Sequence, residues 1–217
     1  MLDETQQQYN TQDVVHVYVA DFDDTVEVTE VSPKIRNDAI EACADPLHKR
    51  QRYCVWCLLN YALREVTGKG VDEFNFTREP NGKWSCDGGV YFSLSHSRHA
   101  VAVAVCLKES VGVDIEYVSY DRFHDRLAER VLTDWEKHMR RMYAPKFQLY
   151  YFLSCWTKKE AIFKRDDNKY FVPSVINTSG LHDCCQRITM DSGVYFVAAV
   201  SKSNLPMQLK WVKVTSW

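Results

Sequence analysis

Val111-Gly112-Val113-Asp114-Ile115-Glu116 reads as a β-strand with two chemically different faces. Side chains alternate across a strand, so Val113 and Ile115 share one face while Asp114 and Glu116 share the other. This strand opens the second half of the chain. Helical segments are expected downstream over about 120–143 and 145–165, then short strands near 170–176, 185–190, 194–200 and 208–214. Upstream the order is similar. Val14-Val15-His16-Val17-Tyr18-Val19 is β-branched and aromatic, as a strand requires. Ser32-Pro33 opens a short helix to about Ala44, and Asp45-Pro46 repeats that signal. Apolar residues at helical spacing (Cys54, Leu58, Tyr61) then run from Leu47 to Val66, and Gly68 ends them. Phe74 to Thr77 is strand-like and Pro80-Asn81-Gly82 is a turn. Strands follow over Val90–Leu94 and His99–Cys106, joined by the polar turn Ser95-His96-Ser97-Arg98. Each half therefore reads strand, helix pair, antiparallel strands. The pattern predicts an α+β protein of two similar halves packed together, 1–108 and 109–217.

Composition narrows the function. Hydrophobic residues are 46% and charged residues 26% of 217, the profile of a globular chain whose core needs no staples. A net charge of −2 argues against nucleic-acid binding, which usually carries a basic excess. The N-terminal residues are polar and no apolar run approaches a membrane span, so a cytoplasmic protein without membrane contact is expected. The eight cysteines, Cys54-x-x-Cys57 included, lack a second pair at zinc spacing and are expected to pack as small hydrophobes.

Three motifs could carry chemistry. Asp114 and Glu116, about 7 Å apart along one strand face, can converge on a hard cation such as Mg²⁺; the same alternation also describes an ordinary strand with one solvated face. Trp156, Glu160 and Lys164 lie one turn apart on one helix face, which offers a third carboxylate and a cation, or simply a surface Glu–Lys pair. Ser93-Leu94-Ser95-His96-Ser97 could donate to phosphate oxygens, although Ser-His-Ser is also common turn composition. No Gly-x-Ser-x-Gly elbow surrounds these serines, which disfavours a serine hydrolase.

In order and spacing, Gly82-Lys83, Ser95-His96-Ser97, Gly112 to Glu116 and Trp156 to Lys164 together resemble the motifs of the Sfp-type 4′-phosphopantetheinyl transferases. The resemblance implies two α/β halves related by a pseudo-two-fold axis, with the active site in the cleft between them. It implies Mg²⁺ held by Asp114, Glu116 and Glu160 against the diphosphate of coenzyme A. Arg52, Lys83, Ser95, His96 and Lys164 match positions that contact the coenzyme's phosphates. Lys158 corresponds to the lysine before the family's glutamate, with a phosphate or structural role. Glu160, directly or through a water, is the expected base, with Lys164 beside it. The reaction implied moves phosphopantetheine from coenzyme A to a serine of an apo acyl or peptidyl carrier protein, as a holo-[acyl-carrier-protein] synthase does, and a monomer suffices. A Mg²⁺-dependent phosphodiester hydrolase and an inactive coenzyme A-binding protein are the competing readings.

Three positions depart from the family pattern. Trp84 replaces a common proline, and Val131-Leu132-Thr133 stands where Phe-Phe-Ser is usual. Asp166-Asp167-Asn168-Lys169 replaces a glycine-containing turn. Thr133 and Glu136 also fit a capping box, so Glu136 has a structural reading.

Overall fold

A computed structural model describes residues 13–80, 82–121 and 125–213. The elements are β1 (Val15–Asp21), α1 (Lys34–Glu41), α2 (Pro46–Thr67), β2 (Phe76–Arg78), β3 (Trp84–Cys86), β4 (Tyr91–Ser97), β5 (Ala100–Cys106), β6 (Val111–Tyr117), α3 (Asp125–Val131), α4 (Asp134–Met142), α5 (Pro145–Asp166), β7 (Cys185–Met190), β8 (Gly193–Ser201) and β9 (Met207–Trp211). The mixed α+β class expected from the pattern is present.

Two sheets face each other. The first has strand order β4-β5-β1-β9 and the second β6-β8-β7. In both, a hairpin (β4–β5 or β7–β8) places its second strand antiparallel to the strand that opens the half, β1 or β6. Strand alternation then builds the layers. Val15, Val17 and Val19 of β1, with Ala100, Ala102 and Ala104 of β5, meet Val113 and Ile115 of β6 and Tyr195, Val197 and Ala199 of β8 in a core between the sheets. The alanines keep that interface thin. The opposite faces of β1 and β5 pack on α2 through Tyr18, Val101, Val103 and Val105. Phe196 packs with α5 residues Leu149, Phe152 and Leu153, and Ala198 and Val200 with Ala161 and Ile162. Each fully buried valine contributes about 1.5–3 kcal/mol.

Both 22-residue helices start on proline. Asp45 caps α2 by accepting from the His48 N–H at 2.7 Å, and Gly68 closes it in the left-handed region at φ 77°. At the end of α5 that job falls to Asp167 (φ 56°), one of the few side chains that tolerates the conformation.

Several expectations need correction. Ser95-His96-Ser97 is the end of strand β4, not a turn; the reversal falls at Arg98-His99. No strand covers 170–176, which holds only a short 3₁₀ turn at Pro173–Val175, since Pro173 removes a ladder donor. The helix expected over 120–143 is two helices, broken where Thr133 caps α4; residues 122–124 lie outside the described set. α1 begins one residue late, with Pro33 itself at the cap. Strand β3 was not anticipated, its three residues being too few for a period. β9, expected to complete the second half's antiparallel run, instead lies parallel to β1 with Val17 opposite Leu209; Val214 and Asn81 lie outside the described residues, as do 1–12.

Candidate active site

The site forms where α5 lies on β6, next to the edge strand β4 that runs beside β6. Gly112 allows this packing. A Cβ there would stand 1.8 Å from the Ala161 carbonyl oxygen and 2.6 Å from the Arg165 nitrogen, so α5 lies directly on the strand backbone. Gly112→Ala should cost about 1–3 kcal/mol, the usual range for forced overpacking. Chemical denaturation checks this.

That close approach lowers the helix side chains onto the strand carboxylates. Asp114 is 5% exposed. Its Oδ1 accepts from Lys164 Nζ and from Ser95 Oγ, each at 2.8 Å, and Lys164 also donates to Ser95 Oγ at 3.0 Å. The other oxygen, Oδ2, is buried with no hydrogen-bond partner. Glu116 is held at both oxygens: Trp156 Nε1 donates to Oε1 at 2.9 Å and Ser97 Oγ to Oε2 at 3.2 Å. Glu160 is pushed up to about 7, first by desolvation and then by Asp114, with Glu116 adding repulsion and Lys164 opposing it. The strand pair and the helix glutamate therefore share one electrostatic environment.

The basic residues divide. Lys83 donates to the Lys164 carbonyl at 3.0 Å and lies 3.8 Å from Asp167, so its charge sits at the negative end of α5. With Trp84, Phe92, Leu94, Phe163 and Lys164 it lines a cavity of about 650 Å³ beside the carboxylates. Alternation turns His96 away from the two serines, to the α2 side of its sheet opposite Val101. Desolvation, then Lys164, His48, Arg36 and Arg52, lower its imidazole to about 4. His96 is exposed to solvent, which weakens the first influence, but the surrounding cations act in the same direction. Arg52 donates to the Ala39 carbonyl at 3.0 Å. Lys158 is not brought to the cluster: its ammonium donates to the Leu181 carbonyl at 3.1 Å.

Other residues join the picture that the motifs did not assign. Arg36 is 6% exposed, lies over the rings of Trp56 and Trp84, and donates to the Arg52 carbonyl. Desolvation, Arg52 and Arg78 lower its guanidinium to about 10, and its Nε has no partner. Trp84, the departure at the Gly-Lys element, thus serves as a wall for a buried cation. The lysine directly before Glu160 is Lys159, and it is fully buried against Glu136 at 2.8 Å. Glu136 completes the capping box with Thr133 and accepts from Thr178 Oγ at 2.6 Å. Its structural reading stands. The signal that could have found the pair was the i to i+1 step from Glu160: adjacent helix residues point apart, so one faces the site and the other the core.

Among the described residues, no group of three or more His, Cys, Asp or Glu side chains is gathered so that it could hold a metal ion. The donors nevertheless suit a hard divalent cation: oxygen ligands only, one of them a buried carboxylate oxygen without a partner, beside a glutamate whose charge its neighbours disfavour. The cysteines are all free thiols. No helix among the described residues is long and apolar enough to cross a membrane.

Residues 110–197 match the model of the 4′-phosphopantetheinyl transferase superfamily. That stretch contains Gly112, Asp114, Glu116, Glu136, Glu160 and Lys164. The chain is also similar to the 4′-phosphopantetheinyl transferase HetI of Nostoc sp. (strain PCC 7120), 27% identical over 124 residues, which are 55% of this chain and 52% of that protein. It thus spans about half the length of that relative. Together these findings support a 4′-phosphopantetheinyl transferase family for this chain, as the ordered motifs led one to expect.

Proposed function

We propose that this protein transfers the 4′-phosphopantetheine arm of coenzyme A to a serine of an apo carrier protein, in the manner of a holo-[acyl-carrier-protein] synthase. What supports this reading is the Lys164–Asp114 ion pair, the unpartnered Oδ2 of Asp114 and the electrostatic influence of Asp114 and Glu116 on Glu160. The two halves, 1–108 and 109–217, would be related by a pseudo-two-fold axis, with this cluster at their junction, so no second subunit is needed.

Asp114, Glu116 and Glu160 would hold Mg²⁺, which when bound neutralises charge on the diphosphate and polarises the phosphorus under attack. The remaining work falls to the chain's own side chains. Lys164, Lys83, Arg52 and His96 supply cations and donors for the coenzyme's phosphates. Glu160 accepts the proton of the carrier serine as its oxygen attacks the phosphorus attached to pantetheine. The bond from that phosphorus to the bridging oxygen breaks, and adenosine 3′,5′-bisphosphate leaves with the electron pair. Lys164, fixed on Asp114, stands where negative charge develops.

Intact-mass spectrometry of apo-carriers incubated with coenzyme A and Mg²⁺ tests the reading. The carrier should gain the mass of phosphopantetheine. Coenzyme A consumed without carrier modification would instead indicate a phosphodiester hydrolase. Coenzyme A bound but unconsumed, across fatty-acid, polyketide and nonribosomal-peptide carriers, would indicate a binding protein.

A further inference from the structure

β4 and β6 are edge strands of different sheets, yet they run side by side. Hydroxyls replace the backbone ladder between them. Ser93 Oγ accepts from the Val113 N–H at 3.0 Å, Ser95 Oγ from Ile115 at 3.3 Å and Ser97 Oγ from Tyr117 at 3.1 Å. The period of two matches on both strands, because the odd N–H groups of β6 face β4 while its even residues alternate toward β8. All three serines are at most 6% exposed.

A serine hydroxyl has one proton and two lone pairs. Ser95 uses all of them: its proton goes to Asp114 and its lone pairs receive Ile115 N–H and Lys164 Nζ. Ser97 gives its proton to Glu116 Oε2 and accepts from Tyr117. Phosphate oxygens are acceptors, so neither serine can bind one without releasing its carboxylate. We infer that Ser95 and Ser97 are positioning residues that orient Asp114 and Glu116 from the neighbouring sheet, rather than contacts for the coenzyme's phosphates, and that Ser97 sets the affinity of the site for its divalent cation. Ser97 has this leverage because Glu116 is clamped between two elements, Ser97 on β4 and Trp156 on α5. Losing the Ser97 clamp loosens the hold on Oε2. The inference rests on the metal-dependent reading proposed above.

The test is calorimetric titration of Mn²⁺ into wild type, Ser97→Ala, Ser97→Thr and Ser93→Ala, with coenzyme A present and a coenzyme-only blank. Loss of an outer hydrogen bond to a metal ligand typically weakens binding 10–100-fold. Ser97→Ala should lose about tenfold or more in Mn²⁺ affinity, and its half-saturating Mg²⁺ for transfer should rise in proportion. Its KM for coenzyme A at saturating Mg²⁺ should stay unchanged. Ser97→Thr keeps the hydroxyl and should restore both. Ser93→Ala breaks the same seam without touching a carboxylate, so it should lower the melting temperature and leave Mn²⁺ affinity alone. A rise in KM for coenzyme A with Mn²⁺ affinity intact would overturn the inference in favour of a phosphate contact. Equal Mn²⁺ losses in Ser93→Ala and Ser97→Ala would overturn it in favour of a general seam effect. Wild-type protein that binds no Mn²⁺ would overturn the metal-dependent reading itself, and this inference with it.

Discussion

Glu160→Gln should reduce transfer by about 10²- to 10⁴-fold, the span usual for a positioned acid–base group, while the protein keeps its fold. The substitution preserves shape and removes a charge that the site resists: desolvation, Asp114 and Glu116 all disfavour it, against Lys164 alone. In chelator the variant should melt no lower than wild type. The measurement pairs steady-state transfer with thermal melts. A variant that turns over at the wild-type rate would remove Glu160 from the chemistry. One that melts far below wild type would show that the glutamate is needed for packing.

Lys159→Ala should destabilise by about 3–5 kcal/mol, because it strands a buried glutamate. Glu136 is 1% exposed and Lys159 0%. The ammonium also donates to the Pro173 carbonyl at 2.9 Å and to the Ile176 carbonyl, so three segments lose their tie at once. The double variant Glu136→Leu/Lys159→Met should recover most of the loss, since two apolar groups leave no uncompensated charge. Urea denaturation of wild type, Lys159→Ala and the double variant makes the comparison. The pair also predicts an acid limit. Desolvation pushes the Glu136 carboxyl upward, but hydrogen bonds from Lys159, Thr178 and Thr133 outweigh it and hold it below its usual value. A carboxyl depressed in the folded state stabilises above its unfolded value of about 4 and loses that contribution as pH falls through the folded one. Wild type should therefore lose stability in that acid window, and Glu136→Gln should show a shallower loss there. Superimposable acid profiles would assign the window to other carboxylates.

The residues that spoke most clearly in the sequence were those whose signal is local. Asp45-Pro46 and Gly68 bounded α2 almost to the residue, because a cap, a fixed φ and a left-handed stop act within a few bonds. The alternation of 111–116 put the two carboxylates on one face, and helical spacing put Trp156, Glu160 and Lys164 on another. Ser95-His96-Ser97 was misread because polar residues in a strand look like a turn until a partner is known for each hydroxyl. Lys158 and Lys159 could not be separated by composition, only by which side of α5 meets solvent and which meets Glu136.

The sequence by itself determined the α+β class, the shared strand face of Asp114 and Glu116 and the shared helix face of Glu160 and Lys164, since all depend on periodicities of two and 3.6 residues. Only the tertiary structure decided that β9 returns to lie beside β1, that serines stitch β4 to β6, and that one oxygen of Asp114 is buried without a partner. Those features join residues 20 to nearly 200 positions apart, where chain connectivity carries no information and packing at positions such as Gly112 sets which groups can touch.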